Sequence, residues 1–162
     1  MKPSRSLGIV SSATPASGST MEVVSVTDLA VGNTPFTDRK YPFTVVGNYP
    51  KECFFLRGAN DDKDTLPHEV QTNIDVRFPA TVYLDFWGGS VHLSKVSTWI
   101  GDWRVAADAT PTTFDRPGKT SRGPGMVMKK NFDAGNIELM GNNGNGHGSY
   151  YAFVCPQGNL PC

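Results

Sequence analysis

The chain predicts an all-β fold: an antiparallel, jelly-roll-like β-sandwich of about nine strands with an extended N-terminal arm. Two observations carry that expectation. Apolar residues alternate at period two in short runs, most clearly at Val70-Gln71-Thr72-Asn73-Ile74-Asp75-Val76-Arg77-Phe78, where Val70, Thr72, Ile74, Val76 and Phe78 share one face. Gly (17) and Pro (12), joined by Asn and Asp, punctuate most of the 162 residues, and the Ala/Leu/Glu/Lys runs that favour helices are missing. At this length one domain is the default, with enough chain for one real core.

Residues 1–20, rich in Ser, Thr, Pro, Ala and Gly without periodicity, read as a flexible or extended arm, and residues 21–162 as the single sandwich domain. Strands are expected at 22–26, 41–46, 53–57 and 70–78. The strand at 81–86 is expected to pair with 70–78 across the tight Pro79-Ala80 link. A helical turn at 94–97 precedes a short strand within 99–105. Residues 107–125, with Pro111, Pro117, Gly118, Gly123, Pro124 and Gly125, read as a long loop of the kind that often carries function. Strands at 126–132, 136–140 and 149–155 close the chain. Asp133-Ala134-Gly135 reads as the hairpin turn between the first two, giving a meander with Ile137, Leu139, Tyr151 and Phe153 facing inward.

Charge excludes one large class of partner. Fifteen basic and fifteen acidic residues cancel, whereas a nucleic-acid binder needs a basic excess for phosphate contacts. The local cluster Arg116, Lys119, Arg122, Lys129 and Lys130 is flanked by Asp115 and Asp133 and reads as a solvated face. No apolar run approaches the ~20 residues that span a bilayer. The first apolar stretch, Leu7-Gly8-Ile9-Val10, is too short for the core of a secretory leader.

A familiar order emerges from the middle of the chain. An apolar strand leads into Asn60-Asp61-Asp62-Lys63, then an alternating strand, then Thr81-Val82-Tyr83-Leu84-Asp85. Trp99-Ile100-Gly101-Asp102-Trp103 follows, then Phe132-Asp133-Ala134-Gly135-Asn136-Ile137-Glu138-Leu139-Met140-Gly141-Asn142. Over residues 42–155 this resembles the accessory β-sandwich modules of large secreted polysaccharide-degrading or adhesive proteins. Leu139-Met140-Gly141-Asn142 stands where those modules carry Leu-Gly-Gly-Asn, and the 107–125 insert and the cysteines depart from them. The resemblance implies a sandwich fold and a secreted or extracellular setting, and it transfers no catalytic residues.

The chemistry-bearing residues point to binding. Glu52, Glu69, Asp75, Asp85, Asp102 and Glu138 lie on or beside strands, but no spacing singles out a general acid and its partner. No Gly-x-Ser-x-Gly elbow occurs, and His68, His92 and His147 lack metal-ligand spacing. Asn60-Asp61-Asp62-Lys63-Asp64 offers calcium-type oxygens without the spacing of a calcium loop, so a turn with local ion pairs is expected, and no cofactor. Trp99 and Trp103 are expected in the core. Trp87, beside Gly88-Gly89 at a strand end, is placed for stacking on a sugar, with Arg122, Asn142, His147 and Tyr150 as further ligand contacts.

Cys53, Cys155 and Cys162 leave three pairings open, or three free thiols. One pairing closes a terminal loop and another staples an early strand to a late one. The function expected is a non-catalytic, extracellular-type module that binds polysaccharide or other glycan, or serves as a structural or adhesive building block. The alternatives are a small glycan-acting enzyme using acids and His147 around the 107–125 loop, and a shell or matrix subunit self-associating through the N-terminal arm.

Overall fold

A computed structural model describes residues 8–86, 89–114, 116, 125–142 and 149–157. Eleven strands are present among them: β1 Val10–Pro15, β2 Glu22–Ser25, β3 Phe43–Val45, β4 Phe54–Arg57, β5 Val70–Val76, β6 Ala80–Phe86, β7 Arg104–Val105, β8 Thr113–Phe114, β9 Met126–Phe132, β10 Gly135–Met140 and β11 Tyr151–Pro156. One short helix, α1 (Gly89–Ser94), follows β6. The fold is an antiparallel all-β sandwich. The two strands beyond the expected nine are β1, inside the segment read as an arm, and the two-residue β8, too short to show a period in sequence.

Three sheets form. β2-β4-β11-β6-β9-β7 is six-stranded, β1-β5-β10 is three-stranded, and β3 pairs with β8 alone. Val10–Pro15 lies within the segment read as an arm and runs antiparallel to β5, with Val10 opposite Val76 and Pro15 opposite Thr72. Pro15 is tolerated because it ends an edge strand, where a missing N–H costs no central ladder bond.

Each face of the six-stranded sheet is covered by different material. On one side Ile74, Val76, Ile137 and Leu139 of the three-stranded sheet meet Val82, Leu84, Phe86, Ala152 and Val154. Trp99 and Trp103 pack at the margin of this core with their rings 5.9 Å apart. On the other side Phe55, Tyr151 and Phe153 meet Leu29, Phe36, Phe43, Tyr49 and Phe114, which come from the 26–53 connection and β8. Ring contacts dominate there: Phe43–Tyr151 at 5.8 Å, Phe114–Tyr151 at 5.8 Å and Tyr49 stacked on Phe153 at 3.9 Å. Burial on both faces explains why β6 and β11 are apolar almost throughout.

Two expected pairings are corrected. β5 and β6 lie in opposite sheets, so Arg77-Phe78-Pro79 is a crossover and not a hairpin. The closing strands form no meander. β9 pairs with β6, β10 with β5, and β11 with both β4 and β6. Ile137 and Leu139 point into the first core, whereas Tyr151 and Phe153 point into the second. Period-two patterning fixes which face of a strand is buried, and it says nothing about which strand lies alongside.

The cysteine alternatives resolve to a Cys53–Cys155 disulfide joining residues 102 apart in sequence. Val154 is paired with Phe54, so the next residue along β11 lies across from Cys53, the residue preceding β4. Among the described residues no helix is long and apolar enough to cross a membrane.

Candidate functional site

The ladder register brings five strand ends to one end of the six-stranded sheet. Glu22 opens β2 opposite Arg57, the last residue of β4. Leu56 faces Ala152, so Arg57 lies beside Tyr151 at the start of β11. Tyr151 in turn faces Asp85, and Phe86 faces Met126 at the start of β9. Connections leaving from this end are therefore the ones that build a shared surface.

Three connections border an open cleft of about 620 Å³ there, within the size range of small-ligand sites. Its walls are the 19–22 segment, the 34–40 loop and the turn that follows β4, a 3-10 helix over Asn60–Asp64. The loop is held in two places: Thr37 N–H donates to Gly58 O at 2.9 Å, and Arg57 Nε donates to Thr34 O at 2.7 Å. Asp38 receives the Asn60 N–H at 2.8 Å and the Asp61 N–H at 3.2 Å. These are two of the donors that the first turn leaves without intrahelical partners. Asp62 is buried and accepts Ser17 Oγ at 2.7 Å and Ser19 Oγ at 2.8 Å, fastening the third wall.

Ion pairs line the cleft. Arg39 reaches Asp61 at 2.7 Å and Asp38 at 3.1 Å, and Arg57 reaches Glu22 at 2.8 Å. The hydrogen bond from Arg39 holds the Asp61 carboxyl below the usual carboxylate range, the opposite of what a general acid for glycoside cleavage requires. The carboxyl pushed up, by burial, is Asp85, to about 6. It is fully buried on β6, where one oxygen accepts the Thr112 N–H at 2.8 Å and the Thr112 hydroxyl at 2.7 Å. Among the described residues no group of three or more His, Cys, Asp or Glu is placed to hold a metal ion.

The five residues expected from sequence divide in two. Asn142 and Tyr150 are buried at this same end. Asn142 Nδ2 lies 2.7 Å from His92 Nε2, and the Tyr150 hydroxyl donates to Met140 O at 2.7 Å. Trp99 Nε1 donates to Gly141 O at 2.9 Å, so three side chains order residues 140–142 from within. Trp87, Arg122 and His147 lie outside the described residues, though their described neighbours Phe86, Met126 and Ser149 belong to this end of the sheet. Sequence reasoning did not find Arg39, Arg57, Asp38 or Glu22. It did single out 60–64 as a charged turn, and that turn is one wall of the cleft.

No protein-family model matches the chain, and no curated protein matches it. Among solved structures it is similar to a β-glucuronidase from glycoside hydrolase family 2, with TM-score 0.60 and 16% identity. The match covers 90% of this chain and 14% of that one. At this identity the likeness is one of fold, a β-sandwich that is a small part of a much longer chain.

Proposed function

We propose that the protein is a non-catalytic β-sandwich module that binds glycan in the cleft between the 19–22 segment, the 34–40 loop and the 60–64 turn. The observation that carries this is the cleft itself: a concave surface walled by hydroxyls, guanidiniums and carboxylates in fixed pairs. A sugar presents many hydroxyls that both donate and accept, and a rigid set of such groups binds it at low ordering cost. The likeness in fold to one part of a glycoside hydrolase supports the reading, and so does the resemblance to accessory modules of secreted polysaccharide-degrading proteins. The disulfide favours an extracellular setting, where such bonds persist. Binding is favoured over a building block joined by arm exchange because β1 already pairs with β5 of its own chain.

The test is a glycan array followed by titration of the hits. Arg39→Ala should weaken binding by about tenfold, the scale of a lost charge-assisted hydrogen bond. Trp87→Ala, Arg122→Ala and His147→Ala, measured in parallel, separate this cleft from the segments beyond Phe86. Loss confined to those three variants would move the site, and an array without a hit would refute glycan binding.

A further inference from the structure

Resting on that reading, we infer that the cleft selects neutral glycans over uronate-bearing or sulfated ones. The charges on its wall cancel: Arg39, Lys40 and Arg57 against Glu22, Asp38 and Asp61. Both guanidiniums are already engaged by the protein's own carboxylates, Arg39 by Asp61 and Asp38, and Arg57 by Glu22. An anionic sugar entering here must displace one of those carboxylates or lie beside three of them. Neither arrangement gains Coulomb energy from the two guanidiniums, and the remaining cation, Lys40, is exposed to solvent that screens it.

The hydrogen-bonding capacity of the wall points the same way. Thr34 donates its hydroxyl proton to Phe36 O at 3.3 Å, Thr37 to Thr20 O at 3.3 Å and Ser19 to Asp62 at 2.8 Å. With those protons committed, the three hydroxyls present lone pairs. Asp61 and Glu22, whose side chains are 69% and 54% exposed, add carboxylate oxygens that accept several bonds each. The wall is therefore rich in acceptors and asks for donors. A neutral sugar brings an O–H at almost every carbon, whereas a carboxylate or sulfate is an acceptor only. A hydroxyl can also bridge the Arg39–Asp61 pair without breaking it, accepting from the guanidinium and donating to the carboxylate.

Asp61→Asn distinguishes the two classes by sign. It removes a negative charge and one acceptor oxygen, so a neutral oligosaccharide should bind about tenfold more weakly, while an anionic one would bind more tightly. The experiment titrates the full chain and this variant with neutral hexose and pentose oligosaccharides, and with oligogalacturonates and sulfated oligosaccharides of matched length. Titrations run at about 20 mM and about 500 mM salt, and a circular dichroism melt confirms that the variant is folded. Binding of the neutral set, changing less than about twofold with salt and weakened in Asp61→Asn, supports the inference. Binding confined to the anionic set, collapsing in high salt and strengthened in the variant, overturns the selectivity and leaves glycan binding intact. Binding of neither set overturns both.

Discussion

Asp85 makes a strong demand on the stability of the fold, and its effect has a definite sign. Burial raises this carboxyl from 3.8 to about 6, against the two hydrogen bonds from Thr112 that favour its ionised form. Its second oxygen has no partner among the described residues, nor have the nearby buried hydroxyls of Tyr49 and Tyr151. Both phenols lie far above their ordinary range, first through burial and then through the Asp85 charge. Between pH 3.8 and about 6 the folded chain holds a proton at Asp85 that the unfolded chain has released, so folding free energy weakens as pH rises across that window. A shift of roughly two units at about 1.4 kcal/mol each makes the loss about 3 kcal/mol. Asp85→Asn keeps the shape and the acceptor for Thr112 and removes the charge. Urea unfolding from pH 4 to pH 8 should therefore show wild type losing stability relative to the variant as pH rises, with the variant more stable at pH 7. A difference between the two that stays constant across the window would refute the reasoning, and so would a variant several kcal/mol weaker at pH 7.

Two further tests address what holds the sandwich together. Reducing the Cys53–Cys155 bond frees a span of 102 residues in the unfolded chain, and loop entropy sets the cost at about 5 kcal/mol. A urea midpoint unmoved by reductant would contradict this. Gly141 has no room for a methyl group, since a Cβ there would sit 2.1 Å from Leu66 O and 2.5 Å from Thr65 O. Gly141→Ala should lower stability by at least about 2 kcal/mol in a denaturant titration, and a neutral result would mean that residues 65–66 yield freely.

Residues 70–76 were legible as a strand because their apolar side chains alternate at period two, and 80–86 because a short, largely apolar run with Val, Tyr and Phe suits a strand buried on both faces. Asp133-Ala134-Gly135 reads as a hairpin turn, but it carries the chain from one sheet to the other; Gly135 has the positive φ of 120° that only glycine adopts easily. Strand partnership was not legible, because an alternating strand has the same pattern beside any neighbour. The second core was also hidden. Phe36, Tyr49 and Phe114 lie among Pro, Gly and Asn in segments that read as connections; with Phe43, from a segment read as a strand, they become core only when the 26–53 segment folds across the sheet. The cleft was hidden for a related reason. Glu22, Arg39, Arg57 and Asp61 are scattered over forty positions, and long-range register such as Glu22 opposite Arg57 brings them together. Asn142 and Tyr150 show the converse difficulty: in sequence, a polar group that will bond a buried neighbour looks the same as one offered to a ligand.

The disulfide also bears on what happens when the chain is cut. Since Cys53 and Cys155 lie 102 positions apart, a single protease nick in any connection between them leaves two fragments that remain covalently joined. Those fragments are also adjacent strands of one sheet, with β4 laddered to β11. A molecule clipped once between Arg57 and Val70, the connection from β4 to β5, would keep its mass on a non-reducing gel and separate only after reduction. Against a protease, the bond converts a chain break into a tolerated scar.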